Sequence, residues 1–165
     1  MANAISSVIG VDLDNASSTQ LFALGTHVMG TNNSEWVYVQ VGTSTVSAYK
    51  VVAFTGTFSV AGHASTTDLL NGLQLGVAQT AMATSSFGWV AIRGIGLGVM
   101  TTNSATATAQ GIFLAASSAT TGVLSNFTSA SGTVAGISFV SVAQTATMTV
   151  TGCTLTWPRG GAPGM

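Results

Sequence analysis

An all-β body is predicted for this 165-residue chain by three features. Short apolar runs alternate with polar residues at period two, Gly, Ser and Asn clusters punctuate them at short intervals, and no stretch carries a sustained helical spacing. The expected architecture is a compact β-sandwich or β-barrel, β-tulip-like in shape, with an extended N-terminal arm. Residues 1–29 form the arm, 30–158 a single β domain and 159–165 a C-terminal tail.

The elements follow in chain order. Residues 1–29 carry scattered apolar anchors (Ile5, Ile9, Leu13, Phe22, Leu24) without a period, so they are expected to be extended or irregular. Gly30 to Ser34, with Asn32 and Asn33, is a turn feeding Glu35 to Val41, where Val37, Val39 and Val41 share one face. Ala48 to Thr55 is a second strand and Thr57 to Val60 a shorter β-prone piece, followed by a turn at Gly62-His63 and by Asn71-Gly72. Leu75 to Gly94 holds two apolar runs around a polar turn, the second alternating Trp89, Ala91 and Arg93 against Val90 and Ile92. Gly94, Gly96 and Gly98 punctuate a strand reaching Met100, leaving one face bare for a close backbone or a corner of the sheet. Gly111 to Ala116 and Thr133 to Val142 are further strands, with a Ser/Thr/Gly loop over Ser117 to Thr128. In the last strand, Met148 and Val150 have one parity and Cys153, Leu155 and Trp157 the other, which predicts a bulge at Thr151-Gly152. Val77 to Ala81 recurs letter for letter as Val142 to Ala146, so two related units build one body.

Charge is nearly absent. Only 4% of residues are Asp, Glu, Lys or Arg, against about 25% in an ordinary domain, and none occurs between Gly94 and Pro158. A surface of hydroxyls, amides and methyl groups favours association, so a stable homo-oligomer, a homotrimer foremost, is expected. Lys50, Arg93 and Arg159 are too dispersed for a nucleic-acid footprint. No apolar run reaches the roughly 20 residues of a spanning helix, and the aromatic girdles of a transmembrane barrel are not evident, so no membrane partner is expected.

Chemistry leaves little trace. Asp12, Asp14, Glu35 and Asp68 are dispersed, and His27 and His63 lack ligands at metal spacing, so no catalytic residue, metal or cofactor is expected and the chain is not read as an enzyme. Gly94-Ile95-Gly96-Leu97-Gly98 lacks the last glycine and the helix of a nucleotide loop and reads as a sheet bend. Cys153, the single cysteine, reads as a small strand residue. Trp36, Tyr38 and Trp89 could line a glycan-binding cleft, although strand aromatics more often serve a core or an interface.

Phe22-Ala23-Leu24-Gly25-Thr26, Ser34-Glu35-Trp36-Val37-Tyr38-Val39, Gly76-Val77-Ala78 and Phe87-Gly88-Trp89-Val90 carry a resemblance to the head decoration, or cement, proteins of tailed phages. It spans about Phe22 to Pro158, including Thr120 to Leu124 and the closing Trp157-Pro158. The resemblance implies a virion structural protein made in the host cytoplasm, bound to the major capsid protein on the outside of an icosahedral capsid, often as trimers at threefold positions. Phe22, Leu24, Trp36 and Tyr38 are the candidate contacts with capsid or neighbouring subunit, the arm ordering on binding. Other repetitive surface subunits, such as a tail, fibre or surface-layer module, and a glycan-binding β-domain are the alternatives.

Overall fold

A computed structural model describes residues 11–65, 67–68, 71–102, 114–116, 122–126, 133–139 and 148–161. Its strands are β1 (His27–Met29), β2 (Glu35–Val41), β3 (Val51–Phe54), β4 (Ser59–His63), β5 (Gln74–Ala78), β6 (Phe87–Thr102), β7 (Leu114–Ala116), β8 (Leu124–Asn126), β9 (Thr133–Phe139) and β10 (Met148–Gly161). The chain is all-β, as its alternation predicts, and the pairings close on themselves twice.

In the first circuit β2 pairs with β4, β4 with β3, β3 with β5, β5 with β6 and β6 back with β2. The second runs from β6 to β8, β7, β9 and β10 and returns to β6. Taken in chain order, each ring joins its first and third strands in parallel and makes every other pairing antiparallel. The two rings thus repeat one topology. Val77 opens the first copy of the sequence repeat at the end of β5, the fourth strand of its ring; the second copy lies outside the described residues. Arg93-Gly94 and Arg159-Gly160 fall correspondingly in the fifth strands.

Side-chain alternation fills the first ring. Val37, Val39, Val41, Val52, Phe54, Val60, Ala78, Val90 and Ile92 form one buried cluster, stoppered by Val46 and Met82, whose backbones bridge. A five-strand ring has little internal volume, which is why Gly76 and Gly88 stand at inward positions. A Cβ on Gly88 would lie 2.6 Å from the Met82 sulfur. The opposite faces of the same strands carry Trp36, Tyr38, Val51, Leu75, Val77, Trp89 and Ala91, which merge with Leu97, Val99, Leu124, Ile137, Cys153 and Leu155 of the second ring in a single cluster.

Strand β6 belongs to both rings and turns between them at Gly94 and Gly96, whose φ angles of 141° and 76° are open to glycine. Beyond the bend, Gly98 meets the side chain of Gln79, from the first copy of the repeated segment. The Gln79 amide donates to Gly98 O at 2.9 Å and accepts from Gly98 N–H at 3.0 Å, supplying both bonds of a missing neighbour strand. The sheet corner, one of the two expected alternatives, is thus present at Gly94 and Gly96, and the close neighbour of Gly98 is a side chain rather than a backbone.

Several boundaries differ from expectation. Gly62-His63 is part of β4, because His63 pairs with Val52 and its Nε2 accepts from Ser47 N–H at 2.9 Å. Within the expected Ser117 to Thr128 loop lies β8, held by β7 and β6. The bulge of β10 against β6 falls between Cys153 and Thr154, two residues beyond the expected place, and a second irregularity against β9 separates Leu155 from Arg159. The arm from Val11 onward is laid on the body: Leu13 is buried, Ser17 bridges to Phe87, and the Tyr38 hydroxyl accepts from Leu21 N–H at 3.1 Å.

Candidate functional site: an open strand edge and its aromatic patch

Strand β1 is made by a hairpin whose turn the sequence dictates. Ser34 N–H donates to Thr31 O at 3.0 Å, and Asn32 and Asn33 both have positive φ, 54° and 56°. That is a type I′ turn, the kind that matches strand twist and that Asn tolerates. Val28 packs onto the core, while His27 and Met29 remain exposed. Every other strand has at least two partner strands among the described residues; β1 has only β2.

Around this edge stand three of the four large apolar residues exposed among the described residues, the fourth being Leu21 on the arm, and some of the rare charges. Met29 is 54% exposed, Ile95 56% and Trp157 41%. Ile95 N–H donates to Asn32 O at 3.4 Å, which fixes it beside the hairpin. His27 and Trp157 stack with ring centroids 6.0 Å apart and planes 26° apart. His27 Nδ1 lies 3.0 Å from Glu35 Oε1. Arg93 faces Glu35 across the β2–β6 ladder and donates to Asn33 Oδ1 at 3.2 Å. Trp157 adopts φ 52°, a left-handed conformation costly for a bulky residue before proline. The strain is borne where the ring is held out toward solvent, a pattern associated with functional positions.

The residues singled out from sequence fare unequally. Trp36 and Tyr38 are 1% and 2% exposed, so as contact residues they are corrected: within the chain they are core, because the arm and second ring cover that face of β2. Phe22 and Leu24 are partly buried against the same core. Phe22 meets Tyr38 edge-on and Trp89 obliquely, both at 5.3 Å. A cleft of about 490 Å³ opens where the arm crosses this cluster. Its aromatic floor already supports Phe22, the position a sugar ring would need. Trp157, Met29 and Ile95 were not singled out, since solvent exposure in a strand leaves no period; the parity break before Trp157 was the one available signal.

Other polar groups are accounted for locally. Asp12 Oδ1 accepts from Asp14 N–H at 3.0 Å, and burial, then the Asp12 charge, raises the Asp14 carboxyl. Among the described residues no three His, Cys, Asp or Glu side chains gather as a metal group. Among the described residues no helix is long and apolar enough to cross a membrane. Cys153 is buried and its thiol is pushed up to about 12 by desolvation. We expect no reaction with an alkylating reagent in the native protein at pH 8 and full reaction after denaturation; mass spectrometry checks this.

His63 and Lys50 stand together at the seam of the rings. Burial first, and the Lys50 charge second, hold the His63 imidazole below its usual value of 6.5. The unfolded chain therefore binds a proton that the folded chain refuses between that lowered value and 6.5. The stability so gained is complete above about pH 6.5 and is lost as pH falls through the folded value. Melting temperature should drop between pH 7.5 and 5, and His63→Gln should flatten the drop; an unchanged slope would assign it elsewhere.

Comparison of the chain with protein-family models, curated proteins and solved structures found no match in any of the three.

Proposed function

We propose that the chain is a structural virion protein that decorates and stabilises the outer surface of an icosahedral phage capsid by binding its major capsid protein. The observation that carries the reading is the patch of Met29, Ile95 and Trp157 beside the edge of β1. Two closed rings offer partners few places to add, and exposed apolar residues beside an open strand edge suit an interaction surface. The near-chargeless composition and the motifs that resemble those of decoration proteins support the same reading. Binding here is apolar and backbone-mediated, for the charges nearby are one of each sign, Glu35 standing in register with Arg93.

Purified protein added to tailed-phage shells assembled without it should appear at regular lattice positions by electron cryo-microscopy. It should stay bound when salt is raised to about 0.5 M, where exposed ion pairs are screened. Empty shells at saturating protein would overturn the reading. Steep release by salt would shift the contact to the charged residues. Native mass spectrometry should give a homotrimer; a monodisperse monomer at micromolar concentration would remove self-association from the proposal.

A further inference from the structure

Hydrogen-bond phase identifies what the edge of β1 is built to receive. Tyr38 N–H donates to Thr26 O at 2.9 Å, and Gly30 N–H to Ser34 O at 2.8 Å. With Val28 opposite Trp36 in the same register, alternate residues bond inward, so Thr26, Val28 and Gly30 face β2. The N–H and C=O groups of His27 and Met29 point the other way. Four backbone groups thus stand along an open edge. The strand contains no Lys, Pro or bulge, and its shortness, three residues, is its one safeguard against pairing.

We propose that this edge is completed by an extended strand of a different protein chain, uncharged where it passes His27 and Met29. The proposal rests on the reading of the chain as a decoration subunit, whose shell protein would supply the strand. Main-chain bonds to His27 and Met29 give the pairing, and Met29 and Trp157 offer apolar surface to its side chains. The charges beside the edge are one of each sign, Glu35 standing in register with Arg93, so the edge favours neither an acidic nor a basic strand. A second copy is the poorer occupant. Threefold self-contacts join two different surfaces, and no other strand among the described residues is left with a single partner. Two copies paired through β1 alone would close as a dimer.

The test separates backbone from side chain. Met29→Pro removes one outward N–H and leaves the inward bonds of Val28 intact, while Met29→Leu keeps the N–H. Proline is tolerated on an edge strand, and equal melting temperatures confirm that the variants fold. On shells assembled without the protein, Met29→Pro should bind about tenfold more weakly and Met29→Leu within about twofold of wild type. Amide exchange at His27 and Met29 should be fast in the free protein and slowed on the shell. Wild-type protein that never occupies the shells sinks the functional reading. Wild-type occupancy undisturbed by Met29→Pro, or a free dimer that Met29→Pro dissolves, overturns strand addition alone.

Discussion

Trp89→Ala should cost about 3 to 5 kcal/mol of folding stability, the range for removing a large ring from a packed core. Trp89 is 2% exposed. Its ring centroid lies 4.9 Å from that of Tyr38 and 5.3 Å from that of Phe22. The truncation therefore empties a cavity and also removes two aromatic contacts, each worth roughly 0.5 to 1.5 kcal/mol beyond area. It further leaves the arm without its platform, so Phe22 and the segment around it should loosen. Denaturant unfolding measures the loss, and Trp89→Phe should restore part of it. A midpoint within error of wild type would place the ring outside the core.

Gly76→Val should destabilise by about 3 kcal/mol, through overpacking rather than a cavity. A Cβ at this position would run into the Val90 Cγ1 methyl and would lie 3.0 Å from Ala91 O and 3.2 Å from the Phe54 ring. All three belong to the wall or filling of the first ring. Neither the carbonyl nor two packed side chains can retreat without opening a pairing. Gly56 is the control, because nothing lies within 4 Å of a Cβ built there, and its replacement by Val should stay within about 0.5 kcal/mol. Equal effects at the two positions would mean that the ring interior yields more readily than its packing implies.

What was legible in the sequence was local. Period-two alternation found Glu35 to Val41 and the run from Phe87, and the pair Asn32-Asn33 announced its own turn, because each signal depends on neighbours in the chain. Closure of the rings depends on partners far apart. The bond of Gln79 to Gly98, or the parallel pairing of Gln40 and Val41 with Ser59 and Val60, has no period to betray it. The repeat of Val77 to Ala81 did signal two related units, yet not that they share a strand. For the site, the sequence raised the aromatic residues of β2, which are core, and could not rank them against Trp157. Trp36 and Trp157 have similar strand-like settings, and only tertiary cover buries one and leaves the other in solvent. Leu24 and Phe22 read as free anchors because the surface receiving them is assembled from β2 and β6.

The continuity of β6 through both rings carries a thermodynamic consequence. Melting either ring strips one wall from the other, so neither half can act as an independent domain, and calorimetry should record one cooperative transition. Proteolytic susceptibility would divide accordingly. A nick in a loop between staves leaves both circuits hydrogen-bonded, whereas a cut at the bend near Gly96 severs β6, the stave that the two barrels hold in common, and should release the stability of both together.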